Sequence, residues 1–410
     1  MCTGCGACAY LAPEAIRMVD SLEHGRRPQV DSEMGSAAEL RDALTACPGA
    51  GLRHDPEALR GAIPELAEAW GPVLAVFEGH AADPELRRAA SSGGAASALA
   101  LYGIERGGLH GVLHIAARPD APLLNRSVLS RSREELLAAT GSRYAPASPC
   151  DGLARIEQAP APCIFLGKPC DVAAVREARR LRPGLDAKLA VSVAMFCAGT
   201  PSLRGTLAVM SRLGAAPERT VALRYRGQGW PGLFRVRERG DAGEREVSTS
   251  YADSWQELQA YRQWRCYVCA DHSGELADIA VGDPWYREIG EGEAGSSLIL
   301  ARTPRGRDYL HAAAEAGYLV LEARGSDIVD ASQPELRRVR GAIWGRIHAS
   351  RWLGAAAPRY RGFPMFPFWW RELSWKQKAQ SFYGTVKRVF TKKLRSRVEV
   401  KAWDPEGGAP

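Results

Sequence analysis

The stretch Cys163-Ile-Phe-Leu-Gly-Lys-Pro-Cys-Asp171 opens the part of the sequence that decides the fold. Its first four residues are an apolar run, which predicts a buried strand over residues 163–166. A helical pattern follows over residues 171–180, and a second apolar run predicts a strand over residues 189–196. A strand, a helix and a second strand in this order are typical of an α/β domain.

The same alternation extends on both sides of this unit. We predict helices over residues 93–106 and 134–139, and strands over residues 73–77, 111–116, 221–225, 233–237, 277–281 and 297–301. The strands 221–225 and 233–237 flank a turn-forming Gly227-Gln-Gly-Trp-Pro-Gly232 and should be antiparallel. The sequence therefore predicts an α+β fold with a small N-terminal domain over residues 1–65, a mixed α/β domain over 66–330 and a helical basic tail over 331–410.

The composition excludes several classes of protein. The chain has 410 residues, of which 46% are hydrophobic and 25% are charged, so it is neither disordered nor fibrous. It has no run of about 18 apolar residues and no basic segment followed by an apolar core at its N-terminus. We therefore expect a cytoplasmic protein.

The net charge of +7 is unevenly distributed. Residues 335–401 carry 17 Lys and Arg against three acids, a net charge of +14, and hold 12 of the 32 aromatic residues. A helix drawn over residues 372–397 has apolar residues, among them Val389 and Phe390, broadly on one side and basic residues elsewhere. This pattern predicts contact with the inner membrane face or with an acidic protein, or else a tail packed on its own domain with a solvated basic face. No nucleic-acid-binding motif accompanies the charge, so we predict no nucleic-acid partner.

The first eight residues predict an iron-sulfur cluster. Cys2-Thr-Gly-Cys5-Gly-Ala-Cys8 matches the first three ligands of the ferredoxin pattern, whose fourth cysteine binds a second cluster. Ala12 replaces that fourth cysteine, while the distant Cys47-Pro48 keeps the remaining ligand of the first cluster. We therefore predict one 4Fe-4S cluster at Cys2, Cys5, Cys8 and Cys47. A zinc site with four thiolates is the alternative, although zinc ribbons use pairs of cysteines rather than three in series.

Four further cysteines stand at strand ends or in a pair. Cys170 and Cys197 follow the strands 163–166 and 189–196, and Cys266 and Cys269 form a Cys-x2-Cys pair. Cysteines from neighbouring strand ends can meet a pair at one sheet edge, which predicts a second 4Fe-4S cluster. The alternative is that Cys170 and Cys197 are core thiols and that the pair is a redox pair or half of a zinc site. Cys150 and Cys163 should be core thiols without a ligand role.

Ser91-Ser92-Gly93-Gly94 stands where the helix over residues 93–106 begins. Small residues let backbone N–H groups approach a phosphate at the positive end of a helix, although a plain helix cap is an equal alternative. Neither a Gly-x-Gly-x-x-Gly turn after a strand nor a Walker loop occurs. An iron-sulfur protein needs a converter to two-electron chemistry, which a flavin supplies.

Taken in order, these features resemble the beta subunit family of coenzyme F420 hydrogenases and dehydrogenases. They are the cysteine loop, Ser91–Gly94, Gly167–Asp171, Phe196–Gly199, Arg224–Gly232, the Cys266 and Cys269 pair, and Ala277–Trp285. The resemblance covers about residues 1–310. The basic tail lies outside it, and in this the chain resembles versions found with bacterial surface-polysaccharide genes.

The resemblance implies an iron-sulfur flavoprotein that contains FAD. Ser91, Ser92, Gly93 and Gly94 would lie at the flavin phosphates, with Lys168 near the isoalloxazine. Three residues of Gly-Ser-Arg-Tyr, Gly141, Ser142 and Tyr144, would line the same site. Electrons from a ferredoxin-like donor or from reduced deazaflavin, coenzyme F420, would pass through the clusters and FAD to a small organic substrate.

Two other function classes and the proton donor remain open. The alternatives are a non-catalytic electron-transfer subunit, connected with surface-polysaccharide synthesis, and a zinc-dependent scaffold. Asp271, His272, Asp278 and Asp283 are candidate proton donors or site-shaping groups, with turn and capping roles as the simpler interpretation. No catalytic residue follows from the sequence.

Overall fold

The computed structural model describes residues 1–31, 33–55, 57–240, 243–290 and 292–403. The N-terminal elements are α1 Ala7–Leu11, β1 Ile16–Ser21, β2 Gly25–Val30, α2 Ala37–Thr45, β3 Gly51–Arg53 and α3 Pro64–Trp70. Cys2 and Cys5 therefore precede α1 and Cys8 lies in its first turn, and β1 and β2 form an antiparallel pair. Helix α2 begins with a capping box in which Ser36 and Glu39 exchange hydrogen bonds.

The central part of the chain contains eleven strands and eleven α-helices among the described residues. The strands are β4 Ala75–Ala81, β5 Gly111–Ala117, β6 Asn125–Ser130, β7 Cys163–Gly167, β8 Leu189–Met195, β9 Thr220–Arg224, β10 Leu233–Gly240, β11 Gly243–Ser250, β12 Ile279–Gly282, β13 Ser297–Ala301 and β14 Leu319–Ala323. The helices are α4 Pro84–Ala89, α5 Ala95–Glu105, α6 Arg133–Ala138, α7 Leu153–Glu157, α8 Pro169–Leu181, α9 Pro183–Lys188, α10 Leu203–Arg212, α11 Tyr251–Ala260, α12 Trp264–Tyr267, α13 Pro304–Glu315 and α14 Asp327–Ser332.

Eight of these strands form one mixed sheet in the order β14-β4-β13-β12-β8-β7-β5-β6. The pairs from β12 to β5 are parallel, and the outer pairs are antiparallel. A separate antiparallel sheet has the order β11-β10-β9, as expected for the strands on either side of Gly227–Gly232. The predicted α+β fold is confirmed.

The strand–helix–strand unit from β7 to β8 positions the site. Helix α8 begins with Pro169 in its first turn, and the Lys168 backbone N–H donates to Asp171 Oδ2 at 3.0 Å. Strands β7 and β8 are parallel neighbours, so their carboxyl ends lie at the same edge of the sheet. Cys170 and Cys197, which follow these two strands, are thereby brought to one edge.

The C-terminal residues pack against both other segments. They form α15 Leu336–Trp352, β15 Arg359–Arg361, α16 Phe366–Arg371 and α17 Trp375–Thr391. Strand β15 pairs in parallel with β3 of the N-terminal segment. One hydrophobic core contains Leu11, Phe165 and Phe368, one from each predicted segment. The predicted boundaries after residues 65 and 330 fall inside helices α3 and α14. The last predicted segment also includes residues 404–410, which lie outside the described part. The domain limits therefore stay predictions.

Helix α17 confirms a helix within residues 372–397, but its packed face matches the prediction only in part. Val389 is buried as expected, but Phe390, expected on the same apolar side, is 58% exposed, and Ser381 and Thr385 are buried instead. A Cβ on Gly345 of α15 would meet the Ser381 hydroxyl, so the two helix backbones approach too closely for larger side chains. Small side chains therefore fill this contact, and an aromatic side chain remains outside it. Among the described residues, no helix has the length and apolar content needed to cross a bilayer.

Candidate redox-cofactor site

The second set of predicted ligands lies around one cavity. Cys170, Cys197, Cys266 and Cys269 all line it. The cysteines after β7 and β8 meet the Cys-x2-Cys pair there, because α12 places that pair beside the same sheet edge. Burial, followed by repulsion from Cys266, raises the pKa of Cys197 to about 12. Burial, with charges on neighbouring thiols contributing, also raises the pKa values of Cys170 and Cys269.

Several hydrogen-bond donors around this cavity lack acceptors in the described part of the chain. Arg265 is 4% exposed, and its Nε and Nη1 have no partner among the described residues. His272 Nε2 is also buried and has no partner within the ranges that the structure describes, while its Nδ1 lies 2.7 Å from the Cys197 carbonyl oxygen. The Thr200 backbone N–H donates to Cys266 Sγ at 3.3 Å. Unpaired buried donors are costly, so four soft ligands with these donors fit an anionic metal-sulfur group.

Cys2, Cys5, Cys8 and Cys47 also lie near one another. Burial, and then the charges on the other three thiols, raise the pKa of Cys8. The pKa of Cys47 is raised first by burial and then by Cys5 and Cys2. Buried thiols with raised pKa values become thiolates when a cation binds them, so this set also fits a metal group.

The backbone of the first cysteine loop depends on two glycines. Gly4 and Gly6 have left-handed φ values of +78° and +90°. A Cβ at Gly4 would lie 2.8 Å from the Arg26 carbonyl oxygen, and one at Gly6 would lie 2.8 Å from the Asp151 nitrogen. The Gly4 N–H donates to Cys2 Sγ at 3.3 Å. These glycines therefore let the loop turn tightly and direct an N–H toward a sulfur.

The two thiol sets are neighbours. Thr3, between two cysteines of the first loop, lines the cavity of the second set. Burial lowers the pKa of Arg27, and charges on Cys2 and Cys266 oppose that shift. For Arg265, burial alone would lower the pKa, but Tyr360 and thiols of the second set outweigh it and raise the pKa. Arg265 also donates to the Pro48 carbonyl oxygen at 2.9 Å, next to Cys47. Two arginines therefore stand between the two sets.

The remaining cysteines lie in the core. Cys150 and Cys163 are both fully buried, as expected for thiols without a ligand role. Cys150 is nonetheless close to the first set, since its backbone N–H donates to the Cys5 carbonyl oxygen at 2.9 Å. A hydrogen bond from Cys150, partly opposed by burial, lowers the pKa of Cys5. In the described ranges, no group of three or more His, Cys, Asp or Glu side chains is arranged to hold a single metal ion.

The residues that the resemblance assigns to a flavin meet in a second network. The Ser91 hydroxyl accepts from the Ser142 backbone N–H at 2.9 Å, and Ser92 Oγ donates to Asp283 Oδ1 at 2.6 Å. Gly93 and Gly94 have φ values of +68° and +73°, and only a glycine fits at Gly93, where a Cβ would lie 2.7 Å from the Gly295 carbonyl oxygen. The Ser-Ser-Gly-Gly segment is thus an irregular turn before α5.

A buried ion pair stands at the centre of this network. Arg226 Nη1 and Nη2 each lie 2.9 Å from a carboxylate oxygen of Asp283, and Trp230 Nε1 donates to Asp283 Oδ1 at 2.7 Å. Burial opposes ionisation of Asp283, but the Arg226 charge outweighs it and lowers the pKa of Asp283. Arg226 Nη1 also reaches the Tyr144 hydroxyl at 3.4 Å, and its guanidinium lies 4.6 Å from the Tyr251 ring centroid.

A basic cleft of about 480 Å³ adjoins the network at Ser142. Its charged lining comprises five arginines and one acid: Arg118, Arg143, Arg224, Arg235, Arg237 and Glu246. Gly141 directly precedes Ser142, and a Cβ at Gly141 would lie 2.9 Å from the Arg226 carbonyl oxygen. A cleft with this charge suits an anionic ligand.

Lys168 lies beside the second thiol set. Its ammonium donates to Asp171 Oδ2 at 2.6 Å. Burial would lower the pKa of Lys168, but Asp171 and charges on Cys170 and Cys197 raise it. This side chain is therefore a permanent positive charge next to the predicted ligands.

The candidate proton donors have mostly structural partners. Asp271 accepts the backbone N–H of Gly274 and Glu275, and Asp278 accepts from Ser192 and Arg305. Asp283 is different, because it joins the Ser-Ser-Gly-Gly turn to Arg226. Sequence reasoning missed Arg226, Arg265 and Arg27 as site residues. Arg226 lies within the motif Arg224–Gly232, and Arg265 directly precedes the Cys266 and Cys269 pair. Their positions in these motifs were the signal that could have indicated them.

The fold is that of a mixed α/β protein with two neighbouring sets of four thiols and a separate buried network around Asp283. Two family models match the chain: the N-terminal model of the coenzyme F420 hydrogenase/dehydrogenase beta subunit at residues 76–154, and the C-terminal model at residues 162–326. The chain belongs to this family, which suggests an oxidoreductase role.

Two curated relatives bear the same name, coenzyme F420 hydrogenase subunit beta. The protein from Methanococcus voltae is 28% identical over 266 residues, covering 63% of this chain and 87% of the relative. The protein from Methanosarcina barkeri is 25% identical over 258 residues, covering 58% and 78%. A chain of the F420-reducing NiFe hydrogenase complex from Methanosarcina barkeri shares the fold, with a TM-score of 0.53 and 22% identity over 70% of this chain and 95% of that chain.

Proposed function

We propose that the chain is an oxidoreductase that contains two 4Fe-4S clusters and FAD. The observation that carries this proposal is the adjacency of two sets of four thiols, with Arg27 and Arg265 between them. Clusters transfer single electrons, and a flavin converts between single electrons and hydride. Cys2, Cys5, Cys8 and Cys47 would hold one cluster, and Cys170, Cys197, Cys266 and Cys269 would hold the other.

The flavin would be held by the network around Asp283. Ser91, Ser92, Gly93 and Gly94 would approach its phosphates, and Gly141, Ser142 and Tyr144 would line the same site. The cleft beside Ser142 supports this assignment, because its volume is typical of ligand pockets and its arginines match a diphosphate. Two buried Nε atoms in its wall, of Arg224 and Arg235, have no hydrogen-bond partner among the described residues.

Lys168 would provide electrostatic stabilisation. Asp171 fixes its ammonium in place, and the neighbouring thiols keep it protonated. A fixed cation beside the second thiol set would stabilise negative charge that develops there, and on a flavin whose isoalloxazine lay close to Lys168. This role requires no proton transfer from Lys168, in keeping with its raised pKa.

The partners follow from the class of chemistry. The names of the relatives support coenzyme F420 as one electron partner, with a ferredoxin-like donor as the other possibility. The flavin would pass a hydride to or from a small organic substrate. We propose a cytoplasmic protein, because that compartment keeps thiols reduced and supplies such carriers.

A second candidate is a non-catalytic electron-transfer subunit. It is favoured by the likeness to a chain of a hydrogenase complex and by the basic C-terminal extension, which lies outside the matched family ranges. In that case the chain would relay electrons to a larger assembly. The same residues would hold the clusters, but no small substrate would react.

Anaerobic purification of the full chain tests the proposal. We expect a broad absorbance at about 400 nm, about eight irons and one releasable flavin per chain. Zinc without iron or flavin would contradict it and support a scaffold. If the photoreduced chain passes electrons to small acceptors, including coenzyme F420, it is an enzyme; if it reduces none of them, the relay is favoured.

A further inference from the structure

Three arginines surround one tyrosine of the Cys-x2-Cys pair. The guanidinium carbons of Arg262, Arg346 and Arg388 lie 4.6, 5.8 and 5.7 Å from the centroid of the Tyr267 ring. Tyr267 follows Cys266 directly, and its ring and the three arginines are all partly exposed. The aromatic face therefore gathers three positive charges next to the second thiol set.

The three arginines come from separate elements. Arg262 precedes α12, whereas Arg346 belongs to α15 and Arg388 to α17. The last two lie in the C-terminal extension, beyond residue 326, where the family models end. The family-matched part of the chain therefore contributes one of the three charges to this surface, and the extension contributes the other two.

No acid of the described ranges neutralises this arginine cluster. Arg262 donates to the Ala198 carbonyl oxygen, Arg346 to that of Tyr267 and Arg388 to that of Gly384, at 2.9, 2.8 and 3.1 Å. Within the described residues, none of the three forms an ion pair. Like charges this close repel one another unless an anion joins them. The cluster thus leaves a site for negative charge on an accessible surface.

The arginine cluster directly borders a predicted ligand. A Cβ built on Gly199 would lie 2.8 Å from Arg262 Cδ and 3.1 Å from Cys266 Cβ, so both side chains cover the same piece of backbone. A macromolecule bound at Arg262 would stand a few side chains from the second thiol set. A short separation of this kind is what electron transfer between proteins requires.

We propose that Arg262, Arg346 and Arg388 form the docking surface for an acidic electron-carrier protein. The inference rests on the proposed function, because the carrier exchanges electrons with the group at Cys266 and Cys269. Each encounter oxidises the reduced carrier by one electron and reduces this chain by one. Two encounters and one proton from water supply the equivalent of a hydride.

An acidic protein fits the position better than a lipid surface. The exposed Trp375, which could enter a membrane, lies at the opposite end of α17 from Arg388. The arginine cluster surrounds Tyr267, between the two thiols of the pair, where a membrane would bring no electrons. Complementary charge also accelerates the encounter of two redox proteins.

The test measures reduction of the full, cluster-loaded chain by a reduced acidic ferredoxin in stopped flow. The variant carries Arg346→Glu and Arg388→Glu, with Arg346→Gln and Arg388→Gln as a milder pair should the first not fold. The matched control carries Arg395→Glu and Arg397→Glu, which change the charge equally at exposed positions of the same extension. Iron content, flavin content and photoreduction by a neutral dye are recorded for every variant.

We expect the rate constant to fall roughly 10-fold or more at low salt in the test pair, with a weaker salt dependence. The control should change less than about 2-fold, and dye photoreduction should be equal in all variants. Equal slowing in both pairs overturns the docking surface. The docking surface is also overturned if the test pair keeps its ferredoxin rate but loses binding to vesicles of anionic phospholipid. That result would assign the arginines to a membrane. A parent chain without iron and flavin refutes the proposed function, and calorimetric titration with oxidised ferredoxin then still tests docking.

Discussion

Arg226 and Asp283 form a bidentate ion pair, with two N–O distances of 2.9 Å, at the point where three separate motifs of the chain meet. Arg226 comes from the segment between β9 and β10, and Asp283 follows β12. Ser92, from the turn before α5, donates to the same carboxylate. The pair therefore fixes the Ser-Ser-Gly-Gly turn against the small antiparallel sheet.

Asp283→Asn should weaken both the fold and flavin retention. The Arg226 side chain is 2% exposed, so removing the carboxylate charge leaves a buried cation, which costs about 3–5 kcal/mol. Urea unfolding and flavin content per folded chain measure the two effects. Asp308→Asn is the control, since Asp308 is 71% exposed in its pair with Arg307 and should cost less than about 0.5 kcal/mol. If both variants are equally stable, the pair does not organise the site.

Gly93→Ala should abolish flavin binding. The added Cβ would lie 2.7 Å from the Gly295 carbonyl oxygen and from Ser296 Cα, both of which are backbone atoms. Gly108→Ala isolates the conformational cost, because Gly108 has a similar φ of +66° and open space around it. We expect the control to lose about 1–2 kcal/mol and keep its flavin. A Gly93→Ala protein with full flavin content would exclude the turn as a phosphate site.

Cys47→Ser should remove about half of the iron. A 4Fe-4S cluster needs four thiolates, so losing the distant ligand of the first set should leave about four of eight irons. Iron analysis after anaerobic purification measures this. Cys163→Ser is the matched control, since Cys163 is equally a cysteine but lies in the core outside both sets. An unchanged iron content in Cys47→Ser would show that Cys47 is not a cluster ligand.

The sequence predicts the parallel centre of the sheet because its strands are continuous apolar runs. Strands β7 and β8 match the predicted ranges 163–166 and 189–196, except that the last residue of each differs by one. Strand β13 coincides with the predicted range 297–301. Local hydrophobicity is sufficient for such strands, since both faces are buried. The convergence of Cys170 and Cys197 at one edge follows from the parallel arrangement.

Features that depend on distant contacts could not be predicted in this way. Strand β15 has only three residues and exists because β3 offers it an edge, which no local pattern reveals. The packed face of α17 carries Ser381 and Thr385 because Gly345 of α15 allows close approach. Arg265 precedes a cysteine of the pair, but only the fold shows that it also reaches Pro48.

Arg265→Met should lower the reduction potential of the second cluster. The reduced cluster carries one more negative charge, which the buried guanidinium stabilises, so the potential should fall by about 60 mV for every ~1.4 kcal/mol of interaction lost. An anaerobic redox titration followed by electron paramagnetic resonance measures this shift. Arg265→Lys should recover part of it, whereas Arg338→Met, at an exposed position paired with Glu335, should have no effect. A potential that rises in Arg265→Met would contradict the electrostatic role.

His114 should make the free energy of unfolding depend on pH. Burial lowers the pKa of His114 from 6.5 to about 4, and its Nε2 lies 2.8 Å from the Ser130 hydroxyl. Between these pKa values the unfolded chain binds the proton and the folded chain does not, so stability is complete above about pH 6.5 and declines as pH falls toward 4. Between pH 6 and pH 5, this histidine should account for a loss of about 1 kcal/mol. Urea unfolding of the parent and of His114→Asn at both pH values measures the difference. The variant should be less stable at pH 7 but lose about 1 kcal/mol less on acidification, and equal losses in both proteins would mean that the buried imidazole does not resist protonation.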